Sequence, residues 1–374
     1  MSLRLLRWSS TTATTKRPEL LQLLPKKKTL NRVLFDNDAN LSYRKALPVL
    51  TTIYDNLDTP ERIQLGNVKA HDLMTLKHTL ASVRQMSNTI NPHLVKLEHE
   101  LVEQAAERGD NDAIAMLAFD TITKRAQDKN SVDDDDYKHA QRLVKQLTEI
   151  DHCLTYKLAG DLAFSQGYHQ QARDYWHRFV ELEPSSIRSS HVYTQLGIYY
   201  FAYHPELERA RRYFERAVAV GEVDDTTVKA HYYLGQLYES SNPELTRYHW
   251  EVAASRALAE VFPSLGRLEL NMFKNASQAL QWFKLGDELG KDIQCVMGQF
   301  DCYVALGQPR AAVAVVEKLE GIRSAIKRAR RRAATQPAAT TPAAMASAMA
   351  TNDAALTAFF TSRDATIKKA MAQL

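Results

Sequence analysis

An all-α fold built from tandem helical hairpins is predicted by three features of the 374-residue sequence. Thirteen glycines are few for this length, and long Ala/Leu/Arg/Glu-rich stretches stand where β-branched runs and Asn-Gly turns would mark strands. A glycine preceded by an apolar residue recurs through residues 150–320, at Gly160, Gly197, Gly235, Gly266 and Gly298. The spacings are 37, 38, 31 and 32 residues, each close to one helix-turn-helix unit. Small and large side chains then follow these glycines at near-constant offsets.

Twelve or thirteen residues after four of the glycines comes an alanine, at Ala172, Ala210, Ala279 and Ala311. Fifteen to seventeen residues after all five comes a large apolar side chain: Trp176, Phe214, Trp250, Phe283 and Val315. A small residue in each helix lets two axes approach closely, and the large one fills the space beside the crossing. All of these side chains are therefore expected in the core. The clearest unit is TYKLAGDLAFSQGYHQQARDYWHRFVELEP, where Tyr156, Gly160, Ala172, Trp176 and Pro184 fall on the tetratricopeptide pattern, with Gly167 at the turn. HVYTQLGIYYFAYHPELERARRYFERAVAVG repeats it with one residue inserted before Ala210, and LGRLELNMFKNASQALQWFKLGDELG, with its trailing Leu-Gly, is more Sel1-like. LVEQAAERGDNDAIAMLAFDTI, from Leu101 to Ile122, reads as a degenerate start. Five units in register predict a tetratricopeptide/Sel1-like helical repeat solenoid over residues 101–320.

In such arrays the first helix of each pair lines the concave side. Counting from the glycines gives Lys157 and Asp161, Thr194 and Ile198, Tyr232 and Gln236, Arg267, and Cys295 and Gln299 as groove positions. The lining is mixed and polar with Tyr232 central, which suits an extended peptide held by hydrogen bonds and one aromatic anchor.

Charge is unevenly spread over a net +4. Residues 1–35 hold eight basic groups against Glu19 alone, and a second basic block is formed by Arg323, Lys327, Arg328, Arg330, Arg331 and Arg332. The body between them is nearly neutral, which disfavours nucleic acid as the main partner. The opening MSLRLLRWSSTTATTKRPEL, rich in Arg, Ser and Thr and without an acid before Glu19, has the composition of a mitochondrial transit peptide over residues 1–17. No run of about 18 uninterrupted apolar residues is present, so membrane association is expected to be peripheral.

Residues 18–100 form a non-repeat helical region containing PKKKTLNRVLFDNDANLSYRKALPVL. After residue 320 come a basic helix at 321–332, an Ala/Thr/Pro linker at 333–352 expected to be unstructured, and an amphipathic helix at 353–374. That last helix offers Leu356, Phe359, Phe360, Ile367 and Met371 to the final repeat or to a partner. Asp133–Asp136, four consecutive carboxylates, are expected in an exposed loop. No GxSxG, HExxH, Walker or GxGxxG motif occurs, and Cys153, Cys295 and Cys302 lack metal-ligand spacing. Neither catalysis, a metal nor a cofactor is indicated.

PKKKTLNRVLF with LSYRKALP, HDLM with LASVR, AAERGDNDAIAMLAF, KLAGDLAF, SLGRLELNMF with ALQWFKLG, and SRDATIKK together resemble a family of fungal mitochondrial assembly factors. These tetratricopeptide-type factors act on cytochrome c oxidase, promoting export of the C-terminal tail of its subunit two. The resemblance covers roughly residues 18–320 and about the last twenty, and the Ala/Pro linker departs from it. It implies a peripheral protein on the matrix face of the mitochondrial inner membrane. The implied partners are cytochrome c oxidase subunit two and the Oxa-type insertase with other inner-membrane export components. The competing reading is a matrix RNA-associated translation factor, motivated by Lys26–Lys28 and the basic block.

Overall fold

The computed structural model describes residues 17–87, 90–335 and 343–373. The segment expected to be a transit peptide lies outside the described residues except for Arg17, whose guanidinium contacts the Tyr54 carbonyl and Asp58. Every regular element among the described residues is helical. In order they are α1 (Leu20–Leu23), α2 (Lys27–Asp36), α3 (Tyr43–Asp55), α4 (Ala70–Ser87), α5 (Pro92–Glu107), α6 (Asn111–Gln127), α7 (Asp134–Glu149), α8 (Cys153–Ser165) and α9 (His169–Leu182). Then follow α10 (Ile187–Ile198), α11 (Leu207–Val220), α12 (Thr227–Tyr238), α13 (Pro243–Ser255), α14 (Val261–Asn271), α15 (Ala276–Gly290), α16 (Ile293–Ala305), α17 (Pro309–Thr335) and α18 (Ala343–Met371). The chain divides into two compact units, residues 1–183 and 184–374.

Short polar residues start the helices by accepting from orphan backbone N–H groups. Asp110 accepts from the Ala113 amide at 2.9 Å, Asn242 from Leu245 at 3.1 Å and Asn275 from Gln278 at 3.1 Å. Ser186 and Ser189 form a reciprocal capping box at α10. Gly167 and Gly307 close the α8–α9 and α16–α17 turns at φ +85° and +65°, a region that disfavours any side chain with a Cβ.

In the first unit α4 pairs with α5, α6 with α7 and α8 with α9. Its core runs from Leu20 through Leu50, Ile53, Leu73, Leu97 and Leu101 to Leu154. The boundary expected at residue 101 falls inside α5, so the non-repeat segment and the first hairpins share a helix and a core. Asp134–Asp136 are not in a loop. They form the first turn of α7, where carboxylates complement the positive end of the helix dipole.

In the second unit the hairpins are α10/α11, α12/α13, α14/α15 and α16/α17, with α18 packed along α17. The expected 333–352 linker is a further correction, since α17 continues to Thr335 and α18 begins at Ala343. Alanine is the strongest helix former, and it outweighs the Thr content that suggested a linker. Pro337 and Pro342 lie outside the described residues. Leu356, Phe359 and Ile367 of α18 join Phe300, Val316 and Leu319 in one core, and Arg363 holds Asp301 through two bonds of 2.7 and 2.6 Å.

Candidate partner-binding site

The repeat glycines stand against aromatic rings. A Cβ placed on Gly160 would come closer than 3.0 Å to Trp176, on Gly197 to Phe214, on Gly235 to Trp250, and on Gly266 to Phe283. Each ring thus abuts the backbone of its hairpin partner at the glycine, and Trp176, Phe214, Trp250 and Phe283 are at most 1% exposed. Gly298 behaves differently, because its neighbour is Phe283 of the preceding hairpin rather than a large residue of its own.

The small residues show a stricter rule than offsets from glycine. Ala172, Ala210 and Ala279 are fully buried, and each precedes its ring by four residues, one helical turn. In the third unit Thr246 takes the alanine's place four residues before Trp250, fully buried, its hydroxyl donating to the Gly235 carbonyl at 3.3 Å. In the fifth unit Ala311 and Val315 are one residue out of register. Ala312 is fully buried with Val316 at 1%, whereas Ala311 is only half-buried; Val315, at 6%, is in the core as expected. First helices and connections of different length shift the count from glycine, but the one-turn spacing survives because it belongs to a single helix.

The residue inserted before Ala210 has a local cause. Tyr199–Tyr203 form a π turn, in which the His204 amide donates to the Tyr199 carbonyl five residues back at 2.9 Å. A π turn absorbs one extra residue without changing the helix axis greatly. It also turns Tyr200 onto Tyr213, with ring planes 8° apart and centroids at 5.5 Å.

The predicted groove residues separate into three groups. Lys157 and Asp161, in the first unit, are tied to each other at 2.6 Å, and Asp161 also accepts from Trp176 Nε1 at 3.0 Å. Thr194, Cys295 and Gln299 are buried and offer no surface. Thr194 donates to the Ser190 carbonyl at 3.0 Å, and Gln299 donates to Asp287 at 3.1 Å. Cys295 fits against Gly286, and burial pushes its thiol up to about 12. Ile198, Tyr232 and Gln236 are half-buried and Arg267 is exposed, all in the second unit.

Around Tyr232 these residues gather neighbours that the count from glycine missed. Phe201 of the π turn meets Tyr233 at 4.9 Å, and Tyr233 meets Tyr232 edge-on at 5.5 Å. Burial raises the Tyr232 hydroxyl above its usual range, with the Glu260 carboxylate adding to it and a Gln236 hydrogen bond and Arg267 opposing it. The signal for Phe201 was the inserted residue, whose extra turn aims an aromatic toward α12. A polar pair was also missed behind this face. His231 and His249 bring their Nδ1 atoms to 3.0 Å, both buried, with Tyr238 stacked on His249 at 5.9 Å. No group of three or more metal-ligating side chains occurs among the described residues.

This architecture defines an all-α protein of tandem helical hairpins, of tetratricopeptide and Sel1-like type, preceded by a helical segment of its own. Residues 16–110 match the family described as the MSS2 N-terminal domain. Protein MSS2, mitochondrial, of Saccharomyces cerevisiae is 31% identical over 287 residues, spanning 76% of this chain and 81% of the yeast protein. The chain belongs to the MSS2 family. Among solved structures, a Sel1 repeat protein from Oxalobacter formigenes is 17% identical with a TM-score of 0.42, covering 59% of this chain and 88% of its own. The c5321 antigen of uropathogenic Escherichia coli is 13% identical with a TM-score of 0.44, covering 80% and 69%.

Proposed function

We propose that this protein is a non-enzymatic mitochondrial assembly factor for cytochrome c oxidase. It binds the C-terminal tail of subunit two, or the Oxa-type insertion machinery that receives that tail, and promotes its export from the matrix. The observation that carries the reading is the relationship to the yeast mitochondrial protein over most of both chains. The second unit supplies a surface of suitable chemistry. Half-buried Ile198, Tyr232 and Gln236 with exposed Arg267 give an extended peptide an apolar rest, amide and phenol hydrogen bonds, and one guanidinium.

Among the described residues no helix is long and apolar enough to cross a membrane, which agrees with peripheral attachment at the matrix face of the inner membrane. Affinity capture from mitochondria followed by mass spectrometry tests the proposal. Subunit two or insertase components should co-purify with the wild type and be depleted by Tyr232→Ala with Arg267→Glu. Recovery of mitochondrial RNA without those proteins would replace this reading with that of a translation factor.

A further inference from the structure

The N-terminal segment presents a surface that the repeats do not explain. Along α2, Leu30, Val33 and Leu34 are buried, while Lys28, Arg32 and Phe35 follow one another on the opposite stripe at helical spacing. The Arg32 side chain is 82% exposed and Phe35 is 81% exposed. At the end of this helix Asn37 donates to Ser82 of α4 at 3.3 Å, which sets the two helix ends side by side. Met86 lies one turn beyond Ser82 on the same face of α4 and is 62% exposed. Ile90, in the connection to α5, is 81% exposed.

Two large apolar side chains, Phe35 and Met86, therefore stand outward near the adjoining ends of α2 and α4, and Ile90 is exposed three residues beyond the end of α4. Protruding points suit some surfaces and not others. A protein partner would need a matching pocket for each, whereas the boundary between headgroups and acyl chains accepts projecting apolar groups to a depth of about 5–10 Å. The charge beside them is of the sign such a surface attracts. Residues 26–45 carry six Lys and Arg against Asp36 and Asp38, and Asp36 is within 3.6 Å of Arg32. Basic side chains next to exposed apolar ones supply the two signals that peripheral membrane binding needs.

We infer that this end of the first unit seats the protein on an anionic lipid bilayer, with Phe35, Met86 and Ile90 entering the interface and Lys28 and Arg32 meeting lipid phosphates. The inference rests on the peripheral attachment proposed above and goes further by assigning the surface that makes it.

Co-sedimentation of the full chain with phosphatidylcholine vesicles doped with phosphatidylserine tests it. Partitioning should fall at least about tenfold in Phe35→Ser/Met86→Ser/Ile90→Ser, and likewise in Lys28→Glu/Arg32→Glu or on pure phosphatidylcholine. The basic residues before Arg17 are common to all these proteins and cancel in the comparison. The substituted positions are solvent-exposed, so an unchanged thermal transition will show that the fold is intact. Equal partitioning of wild type and variants overturns the assigned surface and leaves peripheral attachment standing. A wild type that binds no vesicle overturns both, without bearing on capture of subunit two. Loss of self-association rather than of vesicle binding would make the surface a contact between two copies, and would equally overturn the inference.

Discussion

Gly298 of α16 and Gly266 of α14 both lie against the ring of Phe283, each nearest its Cε1 and Cζ atoms. One aromatic therefore fixes the spacing of two first helices, and a methyl group added at either glycine must displace it. Gly298→Ala and Gly266→Ala should each cost about 1–3 kcal/mol, the usual range for overpacking. Their effects should not add, because both act through one ring. Chemical denaturation of the single and double variants measures this, and strict additivity would contradict the shared-ring packing.

Glu269 is almost fully buried and is held by Arg247, with Nε–Oε1 at 2.7 Å and Nη2–Oε2 at 3.0 Å. The guanidinium also lies 3.5 Å from the centre of the Phe273 ring. Removing the carboxylate strands a partly buried cation, so Glu269→Ala should destabilise the second unit by roughly 3 kcal/mol. The exposed pair Arg211–Glu208, broken by Glu208→Ala, should cost no more than about 0.5 kcal/mol. Thermal unfolding of the two variants side by side checks the contrast.

Burial holds both His231 and His249 down, to about 4, against an ordinary histidine near 6.5. Between those values the unfolded chain binds protons that the folded chain does not, so this pair's contribution is complete above about pH 6.5 and is lost as the pH falls toward 4. Replacing the pair by His231→Phe/His249→Leu should flatten that part of the stability–pH curve. An unchanged slope in denaturation series between those pH values would show that the two imidazoles titrate normally.

The apolar face of α18 is used within the chain. Phe359 meets Phe300 edge-on at 5.3 Å and is 2% exposed, and Arg363 stacks on the Phe359 ring at 4.9 Å while holding Asp301. Phe359→Ala should cost about 3–5 kcal/mol. It should also speed hydrogen exchange in α16 and α17 more than in α10 and α11. Uniform exchange across these helices would contradict a local capping role.

The hairpin fold was legible because its signals are local: glycine and aromatic residues repeat at the length of one unit, and Ala172–Trp176 or Ala210–Phe214 repeat at one turn. What failed was counting across connections. Ala311 missed by one residue where Ala312 packs, because α16 runs further past Gly298 than α8 does past Gly160 or α14 past Gly266. Exposure at the groove positions was legible in part: Tyr232, Gln236 and Ile198 keep some open surface, whereas Thr194, Cys295 and Gln299, at the same offsets from their glycines, are buried. The contact of Phe201 with Tyr233 was not legible because the placement of Phe201 depends on a π turn that periodicity does not encode.

On the function proposed above, the face around Tyr232 binds the tail of cytochrome c oxidase subunit two or the machinery that receives it. A photo-crosslinking amino acid at Gln236, beside Tyr232, tests that face directly in intact mitochondria. Crosslinked peptides from subunit two or from an Oxa-type insertase are expected, and should be lost on adding Arg267→Glu. Crosslinks to RNA alone, or to neither protein while the chain remains folded and imported, would contradict it.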